Sequence, residues 1–72
     1  MLRQLNITLD NGKNSTIAIH FDCIELIEYD TSKTCLIHCI FSDGVRSFKV
    51  RMPLESMVNK MNMEQSGNFN EN

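Results

Sequence analysis

Two short segments of alternating apolar and polar residues flank an Asn-Gly dipeptide near the start of the chain, and they constrain the fold most strongly. The alternation runs through residues 2–9 and returns in residues 16–21. A period of two is typical of a strand that buries one face. Asn11-Gly12 readily supplies the two positive φ values of a type I′ turn, a strong local signal for a short hairpin. We therefore predict a β-hairpin with a type I′ turn.

Three further strands are expected between residues 24 and 52. Residues 24–29 combine β-branched and aromatic side chains, which favours a strand, although their apolar spacing also fits a helical turn. Residues 34–41 (TCLIHCIF) form a nearly continuous apolar run, typical of a central strand with both faces covered. Residues 46–52 alternate again. The turns between these strands fall at residues 30–33 and 42–44, where Gly44 can adopt a positive φ.

The period changes at Pro53, a residue favoured in the first turn of a helix. The apolar residues that follow have helical spacing: Leu54, Met57, Val58 and Met61. We predict a helix over residues 53–63 and a flexible polar tail over residues 64–72. The expected fold class is α+β, a small antiparallel sheet of about five strands followed by one C-terminal helix. Residues 1–63 would form a single β-rich domain.

The size of the chain argues for a partner. With 72 residues it can bury only a small core, and an open sheet leaves edge strands unpaired. We therefore expect a protein partner, with a homodimer or higher oligomer as the working state. The three cysteines are an odd number without framework spacing, and no leader or membrane-spanning run is evident. We expect a cytoplasmic protein with no membrane partner, and the Asn-rich, Trp-free composition fits a bacterial or phage source.

The residues that could hold a metal do not have suitable spacing. Cys35 and Cys39 share one face of a strand but lie about 13 Å apart, and His38 points to the other face. We interpret the cysteines as small buried apolar residues. No Gly-rich phosphate loop or nucleophile with a positioned base is recognisable. The sequence therefore predicts no enzyme, no catalytic residue, no cofactor and no metal.

The charged residues are segregated along the chain, although the net charge is only −2. One group is acidic, the acidic patch: Asp22, Glu25, Glu28 and Asp30. The other is basic, the basic patch: Arg46, Lys49 and Arg51. Both could be solvated faces that pair across strands, or they could be surfaces for a protein or, at the basic strand, for a few phosphates.

The methionines around the predicted helix allow two interpretations. Met57, Met61 and Met63 could belong to the core, or they could form an oligomer face, because methionine side chains adapt to varied partners.

The segments around these patches also resemble known families. Residues 22–28 (DCIELIE), Asp43-Gly44 and residues 51–57 (RMPLESM) resemble the first half of LytTR-type DNA-binding domains. They are also similar to small flagellar FlbD/SwrD-like proteins, which have a comparable length and end in a similar helix. Both resemblances imply strands followed by a helix, and the first implies DNA binding.

Two functions follow as hypotheses. The first is a small non-enzymatic regulatory or inhibitory protein that binds another protein. The alternative is a nucleic-acid-binding transcriptional regulator of the LytTR type that uses the basic strand at residues 46–51.

Overall fold

The computed structural model describes residues 1–70, with side chains described as far as residue 63. Five strands and one helix follow one another along the chain: β1 (Leu2–Thr8), β2 (Asn14–His20), β3 (Ile24–Thr31), β4 (Thr34–Phe41), β5 (Gly44–Val50) and α1 (Leu54–Asn70). A single 3₁₀ turn, Phe21–Cys23, connects β2 to β3. The described chain is therefore a small α+β fold, a five-stranded antiparallel sheet with one C-terminal helix, as the sequence predicts.

The strands form one sheet in the order β2-β1-β5-β4-β3, and every pair is antiparallel. β5 is the central strand, whereas β4 lies second from the edge. Only one face of β4 is buried, since Ile40 on its other face is 50% exposed. Residues 34–41 therefore form an interior strand, paired on both sides as predicted, but the prediction that both of its faces are covered is wrong. In this sheet one helix can cover only one face, so the apolar residues on the other face stay exposed.

Helix α1 packs on one face of the sheet and closes the core there. The fully or nearly fully buried apolar residues come from β1, β2, β4, β5, the 3₁₀ turn and α1: Leu5, Ile7, Ile19, Phe21, Cys35, Ile37, Cys39, Val50 and Met57. Met57 is the helical member, and Leu54 and Met61 pack against the cluster from the same helix. The period-two pattern of the strands and the helical spacing after Pro53 thus meet in one hydrophobic layer.

The first hairpin forms where the sequence predicts it, but its turn differs. The Gly12 N–H donates to the Leu9 carbonyl at 2.8 Å, and the Leu9 N–H donates to the Lys13 carbonyl at 2.7 Å. Gly12 has a φ of 84°, whereas Asn11 does not have a positive φ. A type I′ turn needs positive φ at both residues, so the predicted turn type is wrong. The hairpin instead has a three-residue loop closed by a glycine bulge. The Asn11 side chain accepts a hydrogen bond from the Lys13 N–H at 3.0 Å.

The edge strand β3 is irregular. Its pairing with β4 shifts by one residue between Ile24 and Leu26 and again between Tyr29 and Thr31. Each shift leaves one extra residue on β3, Glu25 and Asp30 respectively. Bulges of this kind interrupt the row of backbone groups at the edge, so that another strand cannot easily pair with it.

The helix begins after Pro53, whose carbonyl accepts a hydrogen bond from the Met57 N–H at 3.1 Å. It continues to Asn70, so its predicted end near residue 63 is too early. Residues 64–70 lack the apolar periodicity that marks a packed helix, and this is why the sequence pattern did not extend it. The flexible tail was predicted for residues 64–72. The side chains of these residues, and residues 71–72 as a whole, lie outside the described part.

Candidate protein-binding surface

Within the described part of the chain, no element covers the side chains on the face of the sheet opposite α1. We call this side the open face. In β4 the core-facing residues Cys35, Ile37 and Cys39 alternate with Leu36, His38 and Ile40, which point to the open face. Cross-strand partners share a face, so the register extends this assignment to the neighbouring strands.

Three exposed apolar side chains lie close together on the open face, and we call them the apolar patch: Leu26, Ile40 and Val45. Ile40 is the direct cross-strand partner of Val45, and Leu26 pairs with His38, two residues from Ile40 on the same face. Their exposed fractions are 52%, 50% and 65%. A single exposed apolar residue is normal, but neighbouring ones on three strands form a patch typical of an interaction site.

Polar side chains next to the patch hold the three strands together. His38 Nε2 lies 2.5 Å from Glu28 Oε1 on β3, and His38 Nδ1 lies 2.6 Å from Ser47 Oγ on β5. Serine, histidine and an acidic residue also form the catalytic triads of hydrolases. A triad of that kind works together with preorganised hydrogen-bond donors that stabilise the oxyanion. Here the three side chains come from three neighbouring strands, β3, β4 and β5, on the open face of the sheet. We interpret them as a cross-strand clamp that fixes the open face.

The structure places the acidic patch along the β3 edge. Asp22, Glu25 and Glu28 are exposed, and Glu28 lies two residues from Leu26 on the open face. Asp30 is partly buried at the second bulge, where it accepts a hydrogen bond from Thr34 Oγ1 at 2.8 Å. The first three therefore form an acidic rim, whereas Asp30 is engaged within the sheet.

The basic patch is divided between two faces. Lys49 points to the open face, where its Nζ lies 3.7 Å from Asp30 Oδ2. Arg46 has the opposite orientation on β5, since it pairs with Cys39, and its guanidinium lies 3.5 Å from Asp43 and 5.7 Å from the centre of the Phe41 ring. Arg51 follows the strand and is exposed. The structure therefore does not bring the predicted basic residues together on one surface.

The three methionines of the predicted oligomer face have different environments. Met57 is 0% exposed and belongs to the core, so its assignment to an oligomer face is wrong for the described chain. Helical spacing places Met57 on the same side of α1 as Leu54 and Met61, the side that faces the sheet. Met61 is half-buried against the core, and Met63 is 74% exposed. Met63 lines an open groove beside α1 together with Phe21 and Met52.

The cysteines lie on the core side of the sheet, away from His38. Burial raises the pKa of Cys39 to about 12, and a hydrogen bond that the neutral Cys39 thiol makes with Cys23 is the second cause. Burial also raises the pKa of Cys35. Among the residues with described side chains, no three histidine, cysteine or acidic groups converge in a way that could hold a metal ion. Within the same part of the chain, no helix has the length and apolar character needed to cross a membrane.

The clamp and the apolar patch were not predicted from the sequence, although the turn between β4 and β5 contains information about both. A two-residue turn at residues 42–43 pairs Phe41 with Gly44, and counting back from it pairs His38 with Ser47 and Ile40 with Val45. The continuous apolar character of residues 34–41 obscured which residues would stay exposed.

No family model matches the chain, and neither the curated proteins nor the solved structures contain a match to it. The resemblance to LytTR-type domains and to FlbD/SwrD-like proteins therefore stays a prediction.

Proposed function

We propose that this chain is a small non-enzymatic regulatory or inhibitory protein whose open face binds another protein. The observation that supports this proposal is the apolar patch, Leu26, Ile40 and Val45, which lies uncovered on three neighbouring strands. Apolar side chains at the centre of an interface are the groups whose burial contributes most to association.

The charges around the patch indicate the chemistry of the partner. Asp22 and Glu25 are exposed at the β3 edge and form its acidic rim, together with Glu28, which also binds His38. Lys49 is paired with Asp30 and contributes little free positive charge. The partner surface that fits this arrangement has an apolar centre flanked by lysine or arginine side chains.

The clamp favours a preformed surface. The hydrogen bonds that His38 shares with Glu28 and Ser47 link the three strands that carry the apolar patch. A surface that is already ordered loses less conformational entropy when it binds.

The proposal is tested with a matched pair of valine substitutions on opposite layers of the fold. Val45→Glu places a charge in the apolar patch, whereas Val58→Glu places the same charge on the exposed side of α1, where Val58 is 38% exposed. Each protein and the wild type are immobilised and used to capture partners from lysate, which are quantified by mass spectrometry. A captured protein is then purified and its dissociation constant is measured against all three chains.

The proposal requires a partner whose affinity falls at least about tenfold with Val45→Glu, equivalent to about 1.4 kcal/mol, and is unchanged with Val58→Glu. Equal affinity for Val45→Glu and the wild type would place the interface elsewhere. A salt-sensitive gel shift that Lys49→Glu abolishes, with no protein partner, would instead support the nucleic-acid alternative.

A further inference from the structure

The two edge strands of the sheet differ in ways that bear on self-association. β3 carries two bulges and the acidic residues Glu25, Glu28 and Asp30. Such features prevent an edge from pairing with another strand. β2 (NSTIAIH) pairs with β1 in unbroken register over seven residues and contains no lysine, arginine, aspartate or glutamate.

The hydrogen-bond pattern of the first hairpin shows which backbone groups of β2 are available. The Leu9 N–H donates to the Lys13 carbonyl, so Leu9 and Lys13 face each other through their backbone groups. In an antiparallel ladder such pairs recur at every second residue. The backbone groups of Ser15, Ile17 and Ile19 therefore point to β1. Those of the intervening β2 residues point away from the sheet: Asn14, Thr16, Ala18 and His20.

We propose that the β2 edge binds the β2 edge of a second copy of this chain, which joins two five-stranded sheets into one antiparallel sheet with a twofold axis. This inference is independent of the proposed function, because it uses the edge of the sheet and not the open face. The outward N–H and carbonyl groups of Thr16 would pair with those of the partner's Ala18, and the reverse pair follows by symmetry.

The side chains of β2 suit a second copy. Because the strand carries none of the four charged residue types, antiparallel self-pairing brings no like charges together, whereas two copies of β3 would bring their acidic residues into contact. On the helix side of the sheet, the twofold axis would place the half-buried Ile17 beside the partner's Ile17. The apolar row that Ile17 and Ile19 form with the core would then continue across the joint.

The test is the effect of Ala18→Pro on the oligomeric state of the full chain. Proline removes the outward N–H of residue 18, which β1 does not use, and edge strands tolerate proline at such positions. Ala18→Ser is the matched control because it keeps the N–H. Mass is measured by size-exclusion chromatography with light scattering over a micromolar concentration series, and circular dichroism verifies the fold.

The wild type and Ala18→Ser are expected to have twice the monomer mass of 8.3 kDa. The dissociation constant of Ala18→Pro should rise at least about tenfold, because the twofold symmetry makes one substitution remove two hydrogen-bond donors from the joint. A monomeric wild type, or a dimer that Ala18→Pro leaves equally tight, would overturn the proposal. If Ala18→Pro does not fold, Ala18→Lys keeps every N–H and should weaken the dimer by like-charge repulsion. An equally tight Ala18→Lys dimer would likewise overturn it.

Discussion

Replacing Met57 by alanine should destabilise this fold more than an alanine substitution at any other described position of the helix. Met57 is 0% exposed and, among the residues of α1 with described side chains, is the one that is fully buried in the core. Replacing a buried methionine by alanine removes the transfer free energy of the side chain and leaves a cavity, at a cost of about 2–5 kcal/mol. At about 0.05–0.15 kcal/mol per residue, a 72-residue chain has about 4–11 kcal/mol of stability in total. Met57→Ala would therefore remove a large fraction of it.

The assay is urea unfolding followed by circular dichroism. For a protein of this size the m-value is about 1 kcal/mol/M, so the midpoint should fall by about 2 M or more. Val58→Ala is the neighbouring control, because Val58 is 38% exposed and alanine has the better helix propensity. Met57→Leu keeps the volume and should cost less than about 1.5 kcal/mol. If Met57→Ala and Val58→Ala gave the same free energy of unfolding, the packing of α1 described here would be wrong.

Three further changes test separate features of the fold. Gly12→Ala should destabilise the chain by about 1 kcal/mol in urea unfolding, because its φ of 84° disfavours any L side chain although space is open around it. Lys49→Ala should change the free energy of unfolding by less than about 1 kcal/mol, since its pair with Asp30 is partly exposed, and a larger loss would contradict that interpretation. The protein should lose stability in alkali, because burial raises the pKa of the Cys39 thiol to about 12 from an ordinary 9.0. Below pH 9 the thiol is neutral in both the folded and the unfolded chain, so the stabilisation from its burial is fully present. Between pH 9 and pH 12 the unfolded chain loses the proton first, and the free energy of unfolding falls by no more than about 1.4 kcal/mol per pH unit. Cys39→Ala should flatten that part of a pH series of unfolding curves.

The strands and the start of the helix could be predicted because local chemistry determines them. The alternation in residues 2–9 and 16–21 and the glycine at position 12 define one hairpin, and Pro53 marks where the helix starts. These signals act over neighbouring residues, and the structure agrees with them.

The strand order depends on contacts between distant residues, and the sequence pattern does not contain it. β5 became central because β1 pairs with it through Ile7 and Val50, which lie far apart in the chain. Without that pairing, the apolar run of residues 34–41 is the better candidate for a central strand. The clamp around His38 was missed for a related reason, since its partners come from two other strands.

The pairing between β1 and β5 has a consequence for how the molecule opens. It consists of only two residue pairs, Ile7 with Val50 and Thr8 with Lys49, together with one hydrogen bond from the Arg51 N–H to the Asn6 carbonyl. The β1–β2 hairpin and the β3–β4–β5 meander are each paired along nearly their whole length. The sheet therefore consists of two units joined at a narrow seam, and the hairpin can detach as a cooperative unit before the meander unfolds. The amide protons of β1 that point toward β5 would then exchange with solvent through this partial opening, while those of β4 would require global unfolding.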